Sequence, residues 1–270
     1  MKICFIGGGN MARAMIGGMV ARGRAAADIG VVEPRDEGRA ALARDFGVVT
    51  LPAVDDQVTA ATVIVLAVKP QQLKAAVAPL AGKLAGAVVV SIAAGLRSAD
   101  ISRWLSGYTR IVRCMPNTPA LIGAGVTGIH ADPSVSQAER DQVAAILASV
   151  GATVWIENEA QMDAVTAISG SGPAYVFHFI EALEAAGRSL GFDETTARAL
   201  AIGTVDGAAR LAAQSDETPA TLRERVTSKG GTTAAALASF AQDDFIAVVA
   251  RAVEAARARG EQMGDELGAD

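Results

Sequence analysis

Lys2-Ile3-Cys4-Phe5-Ile6-Gly7-Gly8-Gly9-Asn10-Met11-Ala12 decides the reading of this chain. A short apolar run enters a glycine cluster, and Met11, Met15 and Met19 then recur at helical spacing. The frame is G-x-G-x-x-A between a strand and a helix. Gly7 permits a tight turn, Gly9 lets a pyrophosphate approach the backbone, and Ala12 lets the helix pack closely on its strand. The free N–H groups at the helix start favour phosphate oxygens. A bare glycine motif is weak evidence and can be a structural turn; the strand before and the helix after make it a dinucleotide site. The Met stripe reads as core.

Further short β-rich runs, which read as strands, follow at residues 29–33, 62–68, 87–92 and 110–114, separated by amphipathic segments. Val63-Ile64-Val65-Leu66-Ala67-Val68 is apolar throughout, as expected of a strand covered on both faces. The spacing fits βαβ crossovers, so residues 1–158 are expected to form a Rossmann-like, doubly wound parallel sheet. After Glu157 strand signals stop, and helical patterns cover 173–190, 194–214, 219–226, 233–241 and 244–263. Residues 159–270 are expected to be an all-α domain. Several of its segments, such as Ala197-Arg198-Ala199-Leu200-Ala201-Ile202, are apolar on more than one side, which points to dimerisation through this half.

Glu33, at the end of the second predicted strand, is suited to the hydroxyls of an adenosine ribose and favours NADH. Arg35 is suited to a 2′-phosphate and favours NADPH. With Pro34 between them, the pair leaves that choice open.

Composition narrows the partners. The 270 residues are 51% hydrophobic and 20% charged, with 28 Gly and 9 Pro, as in a folded chain. The mean hydropathy is +0.31, yet the longest uncharged stretches contain Pro, Gly, Asn and Thr, so no membrane span is expected. The glycines begin too soon for a signal peptide's apolar core, and the chain reads as cytoplasmic. A net charge of −5 without a Lys/Arg block argues against nucleic acid. Cys4, Cys114, His130 and His178 are isolated, so neither a disulfide framework nor a metal site is expected.

Two further segments carry small polar residues. Ser169-Gly170-Ser171-Gly172-Pro173-Ala174 precedes a predicted helix and can be explained by capping. Thr227-Ser228-Lys229-Gly230-Gly231-Thr232-Thr233 also leads into a helix, and its hydroxyls and glycines suit an anionic substrate such as a carboxylate.

Taken with Ala67-Val68-Lys69-Pro70, Ser91-Ile92-Ala93-Ala94-Gly95, Arg113-Cys114-Met115-Pro116-Asn117-Thr118-Pro119 and Asp163-Ala164-Val165-Thr166, these motifs follow one another across nearly the whole chain. In this it resembles pyrroline-5-carboxylate reductases. The resemblance implies NADPH- or NADH-dependent reduction of 1-pyrroline-5-carboxylate to L-proline, and dimers able to assemble further into rings. By the same resemblance, Ile6, Gly7, Gly8, Gly9, Asn10, Met11, Ala67, Val68, Lys69, Pro70, Ala93 and Asn117 join Glu33 and Arg35 at the cofactor. Ser228, Gly230, Gly231, Thr232 and Glu159 then meet the substrate, and Thr233 is the catalytic hydroxyl at the ring nitrogen. Plain alternatives are a solvated charge for Lys69, a turn for Asn117 and Thr118, an exposed helix-start carboxylate for Glu159, and a helix cap for Thr233. Lys229 departs from the Pro of many relatives. A β-hydroxyacid dehydrogenase would need a catalytic Lys in its interdomain helix, and no Lys occurs between Lys83 and Lys229. A non-catalytic dinucleotide sensor would leave the Ser/Gly/Thr clusters without a purpose.

Overall fold

The computed structural model describes residues 2–269. Eight strands, β1 (Ile3–Ile6), β2 (Ile29–Val32), β3 (Val49–Leu51), β4 (Val63–Leu66), β5 (Val88–Ser91), β6 (Ile111–Met115), β7 (Gly125–Ala131) and β8 (Gly151–Trp155), form one sheet. Its order is β3-β2-β1-β4-β5-β6-β7-β8. The first six strands run parallel, β7 is antiparallel to β6, and β8 is parallel to β7. The five strands read from the sequence all run parallel, and the one antiparallel pairing involves β7, which was not read there. Three strands were not expected: β3 is short, and β7 and β8 carry Gly125, Gly128 and Gly151 in place of an unbroken apolar run.

Side chains alternate between two cores. Ile3, Phe5, Val65, Val90 and Val112 enter one with Met15, Ile16 and Met19, whereas Cys4, Ile6, Ile64, Leu66 and Val89 enter the other with Leu73 and Val77. This period-2 division explains why central strands are apolar at every position. Burying a side chain such as Phe5, fully inaccessible here, contributes about 1.5–3 kcal/mol. The covering helices are α1 (Asn10–Ala21), α2 (Asp36–Phe46), α3 (Asp56–Thr59), α4 (Pro70–Val77), α5 (Ser98–Trp104), α6 (Gln137–Leu147) and α7 (Met162–Val165).

Five longer-range helical segments follow: α8 (Gly172–Ser189), α9 (Glu194–Gln214), α10 (Pro219–Arg225), α11 (Thr232–Gln242) and α12 (Phe245–Gly268). Asp193 Oδ1 accepts the Thr196 N–H at 3.0 Å and caps α9, and Thr218 caps α10 through the Thr221 N–H at 3.2 Å. The chain divides into two compact units, one running up to Ser171 and resuming at Ala256, the other Gly172–Ala255. The 158/159 division read from the sequence falls within the first unit, because α7 lies against β7, with Val165 closing on Gly128. In the second unit only Ala197 and Ala201 are buried apolar residues among those described, while Phe177, Leu190, Leu200, Leu211, Val226 and Ile246 are exposed. Among the described residues no single helix is long and apolar enough to cross a membrane.

Candidate active site

The strand order reverses beside β1, where β2 lies on one side and β4 on the other. Ligands of doubly wound sheets bind in the crevice at the carboxyl ends of such strands. Ile6 pairs with both Val32 and Leu66, so Gly7, Glu33 and Ala67 leave the sheet level with one another. Leu66 pairs with Ser91, which brings the segment carrying Ala93 to the same edge.

The three glycines differ in what requires them. Gly7 has φ +103°, and a Cβ there would lie 2.8 Å from the Ala67 carbonyl oxygen. At Gly8 a Cβ would be 2.6 Å from Leu42 Cδ1 and 3.2 Å from Glu33 Oε2. Gly9 has φ −71° and ψ −177°, ordinary extended values, and a Cβ there would meet nothing within 4 Å. Nothing in the described chain therefore demands glycine at position 9. It is the N-cap residue of α1 and supplies no side-chain cap, so the first-turn N–H groups remain free for an anion. These features fit a dinucleotide pyrophosphate.

Asn10 is exposed at the first position of α1, and Met11 packs partly against the first core. Ile6 and Ala93 are buried, Ala67 and Val68 half-buried. Lys69 is exposed as the residue capping α4, which Pro70 begins.

Glu33 is buried and Arg35 is exposed, yet they are joined directly: Arg35 Nε donates to Glu33 Oε1 at 2.8 Å and its backbone N–H does so at 3.2 Å. Burial works to raise the Glu33 pKa; the Arg35 hydrogen bonds and charge, with the Gly8 N–H, outweigh it and hold the carboxyl below its ordinary value. The two residues are thus one unit and not independent readers of the ribose. Arg39, which sequence reasoning missed, donates to the carbonyl oxygens of Glu33 at 2.8 Å and Pro34 at 2.7 Å and pairs with Asp36. Its position four residues after Arg35, in the turn entering α2, was the available signal.

Asn117 is buried, with both ends of its amide engaged. Nδ2 donates to the Ser169 carbonyl at 3.2 Å and Oδ1 accepts the Val126 N–H at 2.9 Å. It caps a 3₁₀ turn, Thr118–Ile122, so the turn reading describes its geometry. Ser169 does not cap a helix as expected: its hydroxyl donates back to the Val165 carbonyl at 3.1 Å within a π-type turn, Thr166–Gly170, that links α7 to α8. Such widened turns recur at functional sites.

Glu159 is not an exposed helix-start carboxylate. Its Oε1 accepts from Arg113 Nη1 at 2.9 Å and from the Ser98 N–H at 2.7 Å, and Arg113 is almost wholly buried. Nothing in the sequence marked Arg113 as buried. Burial raises the Glu159 pKa, but the Ser98 N–H and Arg113 more than reverse this and hold it below the ordinary carboxyl value. A carboxyl lowered on folding stabilises the protein above its unfolded pKa and ceases to do so as pH falls through the folded value. Glu159→Gln should therefore lose about 2 kcal/mol at pH 7, lowering Tm by roughly 4–8 °C. Melting curves from pH 7 down to pH 3 should show that deficit shrinking below pH 4.5; a constant deficit would contradict the ionic role.

In the second unit, the Gly231 N–H donates to the Ser228 carbonyl at 3.0 Å across a turn in which Gly230 has φ +75°. Gly231 caps α11 without a side chain, leaving the N–H groups of Thr232 and Thr233 free at the start of an eleven-residue helix. Thr233 lies inside α11, so the capping alternative is corrected: its position is not the cap, and its hydroxyl has no hydrogen-bond partner among the described residues. Ser228, Lys229, Gly230 and Thr232 are exposed, Gly231 and Thr233 half-buried.

Comparison with known proteins joins these features. Residues 159–263 match the family described as pyrroline-5-carboxylate reductase dimerisation, and residues 2–95 match one described as NADP oxidoreductase coenzyme F420-dependent. The chain is 45% identical to a Pseudomonas aeruginosa pyrroline-5-carboxylate reductase over 99% of its own length and 98% of the relative's. It superposes on a Coxiella burnetii pyrroline-5-carboxylate reductase with a TM-score of 0.92 at 37% identity, covering 97% of each chain. A Plasmodium falciparum pyrroline carboxylate reductase, solved with NADP bound, gives 0.86 at 29% identity over 98% of each chain. With a glycine turn open at Gly9 and similarity running from end to end, the chain belongs to the pyrroline-5-carboxylate reductase family.

Proposed function

We propose that this protein reduces 1-pyrroline-5-carboxylate to L-proline with NADPH or NADH, the final step of proline biosynthesis, in the cytoplasm. The observation that carries this reading is the glycine at position 9, which neither backbone conformation nor packing requires but a pyrophosphate would. The bound dinucleotide supplies the hydride. The chain's own task is to bind and align, because a cyclic imine is already electrophilic and needs no strong side-chain base. Free N–H groups at the start of α11, beside Gly230 and Gly231, hold the substrate carboxylate. The unpartnered Thr233 hydroxyl hydrogen-bonds the ring nitrogen and relays a proton through water. Asn117 also holds the Ser169 turn and Glu159 the start of α5, beside the cofactor and substrate contacts that the resemblance implies for them. A purified sample should oxidise NADPH or NADH when given pyrroline-5-carboxylate and show no activity on 3-hydroxyisobutyrate with NAD. The reverse pattern would reject the assignment.

The Glu33–Arg35 pair supports use of either dinucleotide, since the guanidinium offsets the carboxylate that would otherwise repel a 2′-phosphate. Removing either partner exposes the other. Glu33→Gln should shift the kcat/KM ratio toward NADPH and Arg35→Ala toward NADH, each by up to about fivefold, the scale of a charge interaction worth up to about 1 kcal/mol. Ratios unchanged in both variants would show that neither residue reads the ribose.

The exposed apolar faces of residues 172–255 support a homodimer through this unit, with rings built from such dimers as the next level of assembly. Sedimentation should give at least twice the 27.5 kDa chain mass, and Ile246→Asp, at a position 78% exposed in the single chain, should lower it. A wild-type monomer would contradict the proposal.

A further inference from the structure

Gly260, Gly264 and Gly268 fall four residues apart and form one stripe along the last turns of α12. Glycine within a helix is less favourable than alanine, so the stripe calls for a cause. A Cβ on Gly264 would lie 2.6 Å from the Gly95 carbonyl oxygen, and one on Gly268 would lie 2.6 Å from Asp100 Oδ2. From the other side, a Cβ on Gly95, whose φ is +80°, would lie 3.3 Å from the Gly264 nitrogen and 3.6 Å from the Gly260 carbonyl oxygen. The helix backbone therefore rests on the loop backbone with no side chain between them. Two charged contacts flank the seam: Arg97 Nη2 donates to Asp265 Oδ1 at 2.6 Å, and Arg103 donates to the Gly268 carbonyl.

The loop under this seam leaves β5 at the edge shared by Gly7, Glu33 and Ala67. Its two ends are held as well: Ser91 Oγ accepts the Ala93 N–H at 3.4 Å, and the Ser98 N–H is bound to Glu159. Gly95, midway, lies against the α12 backbone, while its neighbours Ala93 and Leu96 are buried in the second core.

We propose that the end of α12 clamps the 93–97 loop in its dinucleotide-binding conformation, which makes Gly264 a positioning residue for the cofactor. This rests on the assignment of Ala93 to the cofactor side under the proposed function. Gly264→Ala adds one methyl group where only glycine fits, and the loop has to move to accept it.

Titration of NADPH and NADH by nicotinamide fluorescence tests the clamp on the intact oligomer. Gly264→Ala should raise the dinucleotide Kd at least tenfold while its melting temperature stays within a few degrees of wild type. A wild-type Kd for this variant overturns the clamp. Should Gly264→Ala fail to fold, Arg97→Gln combined with Asp265→Asn replaces it: these release the flanking contact without touching the stripe, and should raise Kd roughly threefold, with an unchanged Kd again overturning the proposal. Failure of the functional reading is distinguishable, because the wild-type protein would then bind neither dinucleotide.

Discussion

Gly9→Val should abolish measurable dinucleotide binding while leaving the protein folded. The separation of these two effects follows from the local geometry. Position 9 has extended backbone angles that valine adopts readily, and its Cβ enters open space. The cost to the fold is limited to a poorer N-cap residue on α1, about 1 kcal/mol, or a Tm lower by roughly 2–4 °C. A pyrophosphate seated on the helix start, by contrast, needs the volume the new side chain would fill. A rise in Kd of at least about a hundredfold corresponds to roughly 2.7 kcal/mol. Gly7→Ala offers the contrast: its φ of +103° and the nearby Ala67 carbonyl make the loss one of stability as well. Unchanged affinity in a folded Gly9→Val protein would make the turn merely structural.

Thr233→Ala should lower kcat/KM for the imine by roughly one to two orders of magnitude, with dinucleotide affinity almost unchanged. A positioned hydrogen bond to a charged or developing charge contributes about 1.5–3 kcal/mol, and each 1.36 kcal/mol is about tenfold in rate. Since Gly231 occupies the cap of α11 and the Thr233 hydroxyl has no partner within the described chain, no capping or other side-chain hydrogen bond is lost with it. Alanine is also the better helix former, so Tm should hold or rise slightly. Thr233→Ser should retain most activity. Normal turnover in Thr233→Ala would remove this residue from the mechanism, and a lower Tm beside normal turnover would restore a structural role.

The glycine turn and the central strands were legible because local sequence and global fold agree there. A buried parallel strand must be apolar on both faces, and a pyrophosphate loop must lack side chains. The outer strands were not legible for the converse reason. β3 has three residues, none fully buried, and β7 holds Gly125 and Gly128 where Val165 and neighbouring backbone approach, so packing and not propensity makes it a strand. Site residues divide in the same way. Gly7 and Glu33 were readable from motif spacing and Ala67 from the family resemblance, and the strand register brings the three level. Asn117 read as a cofactor contact or a turn residue and Glu159 as a substrate contact or an exposed carboxylate, whereas their partners, Ser169 and Arg113, come from distant segments whose proximity no local pattern encodes. The coupling of Glu33 to Arg35 was missed although they are two residues apart, since it depends on side-chain direction after Pro34. The end of α12 was cut short at residue 263 because its Gly and acidic residues resemble a helix terminus; docking on Gly95 and Asp100 carries it on to Gly268.

The central claim is hydride transfer to a cyclic C=N bond, and the most direct measurement is the isotopic content of the product. The purified protein is given pyrroline-5-carboxylate with NADPH or NADH carrying deuterium at the transferable nicotinamide position. The account predicts L-proline with a single deuterium on C5, the ring carbon that was the imine carbon, formed in step with oxidation of the dinucleotide. Dinucleotide oxidation without labelled proline, or no turnover of the imine by protein that binds the dinucleotide, would contradict it.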